Sequence, residues 1–250
     1  MRLALIQPRL AADDFRRNAA TAVRLMDGAG RADLYLLPEM WATGFLTEPD
    51  ETTARAAEAG LDFMRREAAR RGACVAGSLA VPCGGGWRNR FFLALPDGSL
   101  PYYDKRHLFF PAGEDTHFTP GVRRVVARYE GVEILPEICF DLRFPENSRN
   151  RADTPYDLLL CCAGWPAERA RAWDALLRAR AVENLACCAG CNCCGTLRGV
   201  LYGGGSAVYS PAGECLARLG AEEGATIADI DMEALRSLRK AFPVLPTQPA

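Results

Sequence analysis

The sequence contains very little histidine: His107 and His117 are the two present in 250 residues. Because histidine is the side chain most often used as a general base, a nucleophile in this chain has to find its base elsewhere. The chain also lacks an excess of either charge, since 30 basic and 31 acidic residues leave a formal net charge of −1. This balance gives no electrostatic reason to expect nucleic acid or an anionic membrane as a partner.

Long apolar runs are missing as well. The N-terminal stretch is apolar only briefly before Pro8 interrupts it, which is too short for a secretory signal or a membrane span, so we expect a strand there. Eleven cysteines in a chain of this size, without a signal peptide, favour the reducing cytosol over a disulfide-stabilised secreted protein. We therefore expect a cytoplasmic protein that does not enter membranes.

The residues that are present alternate between short apolar runs and amphipathic charged segments. This pattern predicts strands at 3–7, 34–37, 74–81, 91–95, 122–129, 132–139, 158–162, 185–191, 206–209 and 226–230. It predicts helices at 14–29, 53–71, 168–184 and 232–241, followed by an extended proline-rich tail after Pro243. Without a repeat or a long linker, we expect one α/β domain over 1–250, with two stacked sheets and helices outside.

Cys139 is the most informative residue of the chain. It ends the apolar run 132–139 and is followed directly by the charged turn 140–146. A strand that delivers a thiol into such a turn places the sulfur where a ligand can reach it. A thiol of ordinary pKa, about 8.5, is mostly protonated at neutral pH, so this cysteine needs a base to act as a nucleophile.

Glu39 and Lys105 occur in matching positions, each after an apolar strand-like run. Because strand ends that meet at one rim of a sheet are where α/β proteins bind ligands, we expect both to join Cys139. Glu39 can act as general base, and Lys105 can donate a proton and stabilise the thiolate and the oxyanion. The backbone N–H of Phe140 is the expected second oxyanion donor, and the set predicts acyl transfer through a thioester that water hydrolyses.

Three segments carry a resemblance to a known family. Residues 37–39, 103–109 and 138–145 resemble the three signature segments of the nitrilase superfamily of carbon–nitrogen hydrolases. The resemblance continues over most of the chain, at 163–166, 179–184, 190–192 and 205–214.

This resemblance implies that Glu39, Lys105 and Cys139 form the Glu-Lys-Cys triad of that family. It also implies a supporting glutamate in the loop after the lysine, a place that Glu114 occupies beside Asp115. The implied fold is a four-layer α-β-β-α sandwich that pairs into a homodimer and needs no metal or cofactor.

Within the superfamily, the segments 104–109, 139–145 and 164–166 look most like the omega-amidase branch. The resemblance implies hydrolysis of the side-chain amide of 2-oxoglutaramate or 2-oxosuccinamate to the 2-oxo diacid and ammonia. An amidase or carbamoylase acting on another small linear amide is the alternative.

A substrate with a carboxylate at its far end predicts a cation in the pocket, and Arg143 and Arg106 are the candidates. Trp165 and Phe109 are expected to form an apolar wall around the carbon chain. Arg143 has a second interpretation, a salt bridge to Asp141 or Glu146 that holds the turn.

Two other functional classes compete with this prediction. His107 or His117 could serve a papain-like cysteine, although the local sequence expected around such a cysteine is absent. The five cysteines between 187 and 194 include C-x-x-C spacings that could indicate a metal-binding or redox module. They run through an apolar strand, however, which favours burial over metal binding.

Overall fold

The computed structural model describes residues 1–245 and contains two six-stranded sheets. The first sheet consists of β1 (Arg2–Gln7), β2 (Leu34–Leu36), β3 (Cys74–Cys83), β4 (Gly86–Ala94), β5 (Tyr102–Asp104) and β14 (Gly224–Asp229). The second consists of β6 (Ala127–Tyr129), β7 (Val132–Ile138), β8 (Leu158–Ala163), β9 (Cys187–Asn192), β12 (Ala207–Tyr209) and β13 (Cys215–Arg218). A separate hairpin pairs β10 (Cys194–Leu197) with β11 (Val200–Gly203).

The helices are α1 (Phe15–Ala29), α2 (Glu51–Arg71), α3 (Pro145–Ser148), α4 (Ala170–Glu183) and α5 (Met232–Ala241). Short 3-10 turns occur at Phe110–Ala112, Glu114–Thr116, Cys139–Arg143 and Ala167–Arg169. Within residues 1–245, none of the helices combines the length and the apolar character that crossing a bilayer requires.

Alternation along the strands divides the core into three apolar layers. Leu3 and Leu5 of β1 pack between the two sheets against Leu158 of β8. Their neighbours Ala4 and Ile6 face the opposite way and pack beneath α1 and α2. On the far side, Trp173 and Leu177 of α4 cover the second sheet. The predicted α-β-β-α sandwich is therefore confirmed.

The predicted helices are all present, with small shifts at their ends. Asp14 caps α1 by accepting a hydrogen bond from the Arg17 N–H, and α2 ends at Gly72 in the left-handed conformation that favours glycine. The predicted helix 168–184 begins later as a regular α-helix, because a 3-10 turn precedes Ala170.

The strand prediction was less complete. Of the predicted strand 122–129, only Ala127–Tyr129 is a strand, because only those residues pair with β7. Strands β10, β11 and β13 were not predicted, since each has four residues and shows little alternation. The strand expected before Lys105 is β5. The expected extended tail after Pro243 lies largely outside the described residues.

Strand direction positions the functional residues at one rim. Strands β7, β8 and β9 run parallel, so their carboxyl ends lie together and place Cys139 beside Gly164. The first sheet reaches the same rim, because the Glu39 N–H donates a hydrogen bond to the Ala163 carbonyl at the end of β8 (3.4 Å). The two sheets thus meet where the predicted catalytic residues lie.

Glu137, two residues before Cys139, is a fully buried carboxyl that supports this rim. Its Oε1 accepts hydrogen bonds from Asn147 Nδ2 (2.9 Å) and Ser148 Oγ (2.8 Å), and so ties α3 to β7. Burial and the nearby Asp141 carboxylate raise the pKa of Glu137 from its ordinary value of 4.5 to about 8. Glu137 is therefore mostly protonated at neutral pH.

This raised pKa predicts how stability depends on pH. The folded chain holds the Glu137 proton more tightly than the unfolded chain, so its contribution to stability is lost as the pH rises from about 4.5 through about 8. A glutamine side chain at this position cannot ionise. We expect Glu137→Gln to gain more than about 1 kcal/mol of unfolding free energy relative to the unmodified chain across this interval.

Urea denaturation at a series of pH values measures this difference. Glu133→Gln, on the same strand but partly exposed, is the matched control, and its stability curve should run parallel to that of the unmodified chain. A Glu137→Gln curve that also runs parallel would contradict the assignment of a neutral carboxyl at this position.

Candidate active site

Glu39, Lys105 and Cys139 line one cavity of about 420 Å³. Lys105 follows β5 directly, and its Nζ lies 2.7 Å from Oε1 of Glu39, with both side chains completely buried. Cys139 follows β7 and is partly exposed, with its thiol directed at the Gly164 carbonyl (Sγ to O, 3.8 Å). The structure thus brings together the carboxylate, the ammonium and the thiol that the sequence predicted to converge.

The backbone of Cys139 is in the left-handed region, with φ of 47°. A residue with a Cβ costs about 1–3 kcal/mol in such a conformation, so it persists only where the surroundings hold it. Asp141 supplies that support by accepting hydrogen bonds from the Ile138 N–H (3.1 Å), the His107 N–H (2.9 Å) and the Tyr103 hydroxyl (2.9 Å).

The charges around Lys105 set the protonation states of the site. Burial alone would lower the pKa of Lys105, but the carboxylates of Glu114 and Glu39 together raise it well above its ordinary value. Burial and the charge of Glu39 also raise the pKa of the Cys139 thiol, although Lys105 opposes this effect. The resting site therefore holds an ammonium and a protonated thiol at neutral pH.

Glu114 is the second carboxylate of this cluster, and its neighbour Asp115 is exposed. Glu114 is buried, with Oε2 2.8 Å from Lys105 Nζ and accepting a hydrogen bond from the Phe109 N–H (2.6 Å). Burial and the charge of Glu39 raise the pKa of Glu114, against the lowering effect of Lys105. The structure thus selects Glu114 over Asp115 as the supporting acid.

Two further contacts to the carboxylates were not predicted. Asn89 on β4 donates hydrogen bonds from Nδ2 to Glu39 Oε1 (2.8 Å) and to Glu114 Oε1 (3.0 Å). The Gly164 N–H donates to Glu39 Oε2 (2.9 Å). Asn89 was missed because the strand was predicted to begin at Phe91. Its position as a polar residue next to an apolar run was a signal that could have indicated it.

The cavity walls include the predicted aromatic residues Trp165 and Phe109, together with Phe140, which directly follows Cys139. The sequence did not single out the other aromatic and aliphatic members of the wall, which are Phe45, Tyr202, Val200 and Leu201. Tyr202, Val200 and Leu201 come from the β10–β11 hairpin, whose strands were also not predicted.

Arg143 lies at the cavity, with its guanidinium 5.0 Å from the centre of the Trp165 ring. Neither of the salt bridges considered for it forms within the described residues. For Asp141 the reason is that its carboxylate already accepts hydrogen bonds from other donors. Arg169, which was not predicted, also lines the cavity and lies 5.3 Å from the centre of the Phe109 ring.

The structure contradicts the expectation for Arg106 and agrees with the argument against a papain-like site. Arg106 does not line the cavity, because its guanidinium turns away to Oδ1 of Asn147 (2.7 Å). His107 does not line it either: its ring stacks on Phe144 at 3.8 Å and its Nδ1 contacts Asp141. His117 is exposed outside the cavity, so neither histidine is placed to serve Cys139.

The cysteine-rich strand β9 spreads its thiols over different faces. Cys187 and Cys191 point between the sheets, whereas Cys188 faces α4 and Cys193 lies under the β10–β11 hairpin. Within residues 1–245, no group of three or more His, Cys, Asp or Glu side chains is arranged to hold a metal ion. Alternation along the strand explains this, since neighbouring residues face opposite ways.

Comparisons with known proteins agree with this arrangement. The sequence model of the carbon-nitrogen hydrolase family matches residues 2–240. Omega-amidase YafV of Escherichia coli K12 is 41% identical over 97% of this chain and 94% of its own length. The 2-oxoglutaramate amidase of Bacillus subtilis is 34% identical over 85% of this chain and 83% of its own.

Among solved structures, the carbon–nitrogen hydrolase superfamily protein XC1258 of Xanthomonas campestris superimposes with a TM-score of 0.91. It is 34% identical, and the match covers 100% of this chain and 97% of that one. The chain described here therefore belongs to the carbon–nitrogen hydrolases of the nitrilase superfamily, in the omega-amidase branch.

Proposed function

We propose that this amidohydrolase removes ammonia from the side-chain amide of 2-oxoglutaramate and 2-oxosuccinamate, and that Cys139 carries the acyl group as a thioester. The observation that carries the proposal is the buried ammonium of Lys105 held between two carboxylates beside a thiol in a cavity. The relative named 2-oxoglutaramate amidase supports the choice of substrate.

In the first step, the thiol of Cys139 attacks the amide carbon as Glu39 takes its proton. Oε1 of Glu39 is occupied by Lys105 and Asn89, so Oε2, which faces the Gly164 N–H, is the oxygen left to accept the proton. The carbonyl oxygen gains negative charge, which the Lys105 ammonium and the Phe140 N–H stabilise.

In the second step, the intermediate collapses and the carbon–nitrogen bond breaks. The leaving amine takes up the proton held by Glu39, either directly or through Lys105, which Glu39 then reprotonates. It departs as ammonia and leaves the acyl group on Cys139 as a thioester. Glu39, ionised again, accepts a proton from water as that water attacks the thioester. The carbon–sulfur bond then breaks, the sulfur takes back the proton from Glu39, and the product acid is released from the regenerated thiol of Cys139.

Arg143 is proposed to bind the carboxylate at the far end of the substrate. It lines the cavity and forms no salt bridge within the described residues. Trp165 and Phe109 supply the apolar wall beside the short carbon chain. A guanidinium that can hold a carboxylate through two hydrogen bonds distinguishes such a substrate from a neutral amide.

A second candidate function is hydrolysis of a longer linear amide or a carbamoyl compound. A cavity of about 420 Å³ falls within the range of pockets that hold drug-sized ligands, which is more than a five-carbon amide requires. Steady-state kinetics on 2-oxoglutaramate, 2-oxosuccinamate, glutamine and a simple nitrile discriminates the two. Low activity on both 2-oxo-acid amides would favour the second candidate.

We further propose that the chain forms one catalytic domain, acts as a homodimer in the cytoplasm and needs no metal or cofactor. All eleven cysteines lie in the described part of the chain, and none of them forms a disulfide. Free cysteines of this number suit a reducing compartment.

The mechanism predicts that Cys139→Ala abolishes ammonia release from 2-oxoglutaramate, because the bond to the acyl group cannot form. We expect kcat/KM to fall by at least about 10⁴-fold while circular dichroism and Tm stay close to those of the unmodified chain. Cys83→Ala, at an exposed position remote from the cavity, should keep full activity. Full activity in Cys139→Ala would overturn the mechanism.

The proposed carboxylate contact predicts a selective loss of affinity. Arg143→Met keeps the length of the side chain over Trp165 but removes the charge, so KM for 2-oxoglutaramate should rise by about tenfold or more. Hydrolysis of an uncharged amide such as butyramide should change little. Arg106→Met, outside the cavity, is the control, and equal losses on both amides would place the substrate carboxylate elsewhere.

A further inference from the structure

Asn89 is in direct contact with the reacting cluster, yet it is neither acid, base nor nucleophile. It is 1% exposed and lies on β4, between the two carboxylates. Its Nδ2 lies 2.8 Å from Glu39 Oε1 and 3.0 Å from Glu114 Oε1. Its backbone carbonyl accepts a hydrogen bond from the backbone N–H of Lys105 (2.9 Å), so Asn89 contacts both carboxylates and the backbone of the residue that carries the ammonium.

We propose that Asn89 is a positioning residue that keeps Glu39 and Glu114 from sharing a proton, and so leaves Glu39 ionised to accept the proton of Cys139. This inference rests on the proposed role of Glu39 as general base.

Two buried carboxylates need a hydrogen-bond donor for each of their four oxygens. Lys105 donates to Glu39 Oε1 and Glu114 Oε2, the Phe109 N–H donates to Glu114 Oε2, and the Gly164 N–H donates to Glu39 Oε2. Asn89 supplies the remaining donor, which reaches Glu114 Oε1. Without Asn89 this buried oxygen would have no donor, and Lys105 alone would lie between the two carboxylates.

The net charge of the cluster determines what the loss of this donor would do to the two carboxylates. Two carboxylates and one ammonium leave one uncompensated negative charge in a buried site. When two neighbouring carboxylates lose one of the donors that they share, their repulsion favours a shared proton and raises the pH at which both are ionised. A proton held in this way would block Glu39 from receiving the proton of Cys139.

Apart from Glu114, the titratable groups around Glu39 do not change their protonation state between acidic and neutral pH. The ammonium of Lys105 has a raised pKa, so it stays charged. The remaining groups facing Glu39 are neutral acids whose pKa is raised by burial, namely Cys139, Cys162, Cys193 and Tyr202. An acidic limb in the pH profile therefore reports on the two carboxylates.

The orientation of the Asn89 amide separates this role from simple packing. Its Oδ1 is buried and has no hydrogen-bond partner in the described part of the chain. A buried acceptor without a partner is costly, so the contacts made by Nδ2 determine how the side chain is placed. Those contacts are with the two carboxylates.

The test replaces the donor with an acceptor of the same shape. In Asn89→Asp, the acidic limb of kcat/KM for 2-oxoglutaramate should move upward by about one pH unit or more, because a third acid disfavours ionisation of the other two. We expect kcat near neutral pH to fall by about tenfold or more and KM to change little. Asn150→Asp is the matched control, since Asn150 is buried and its side chain and N–H form hydrogen bonds with Tyr156 and Asn184, outside the cavity.

A second readout does not depend on the substrate. The rate at which iodoacetamide alkylates Cys139, followed by mass spectrometry of its peptide, should show the same upward shift in Asn89→Asp and none in Asn150→Asp. If the unmodified protein does not hydrolyse 2-oxoglutaramate but this shift occurs, the proposed substrate is wrong and the role of Asn89 stands.

A folded Asn89→Asp chain with the acidic limbs of the unmodified protein overturns the proposal, as does a uniform loss of rate at every pH. If Asn89→Asp fails to fold, Asn89→Ser decides. Its shorter side chain cannot bridge both carboxylates, so the acidic limb of alkylation should again move upward, and an unchanged limb counts against Asn89.

Discussion

The site depends on one buried ammonium that faces two buried carboxylates. Lys105 contacts Glu39 and Glu114 at 2.7 and 2.8 Å, and all three side chains are excluded from solvent. Removing one of these three side chains would leave a buried charge uncompensated, which is strongly destabilising. Burial and the charge of Glu39 raise the pKa of Cys139, so the thiol stays protonated until a base accepts its proton.

The choice of lysine at this position fits the chemistry. The chain has only two lysines, Lys105 and Lys240, and otherwise uses arginine for its positive charges. An ammonium is compact enough to fit between two carboxylates and can donate a proton, whereas a guanidinium is planar and does not deprotonate in proteins. Placing the thiol at the cavity costs conformational free energy, because the backbone of Cys139 is in the left-handed region. Asp141 stabilises this turn by accepting three hydrogen bonds.

Much of the architecture could be predicted because its signals are local. Apolar alternation indicated the two sheets, and capping residues such as Asp14 and Gly72 marked helix ends. The segments around Glu39, Lys105 and Cys139 were recognisable because each follows an apolar run. Glu114 was predicted from the resemblance, whereas the local sequence alone does not separate it from Asp115, since adjacent loop residues differ only in which one the turn buries.

Other features could not be predicted because they arise from contacts between residues far apart in the sequence. Asn89 meets Glu39 across 50 positions, and nothing near Asn89 in the chain signals that contact. The neighbours of Arg143 in the sequence were equally compatible with a salt bridge and with substrate binding. The structure shows that Asp141 accepts hydrogen bonds from other donors and forms no salt bridge with Arg143 within the described residues. Arg106 was wrongly expected in the pocket, because nothing in the sequence around it indicates its hydrogen bond to Asn147, 41 residues away.

The most direct test of the account is the mass of the peptide that contains Cys139, measured after the enzyme is quenched in acid during turnover of 2-oxoglutaramate. We expect this peptide to gain the mass of the substrate minus ammonia, as a thioester on Cys139 requires, while the peptide containing the exposed Cys83 stays unmodified. Acylation of a different residue, or sustained ammonia release with Cys139 unmodified at every time of quenching, would contradict the account.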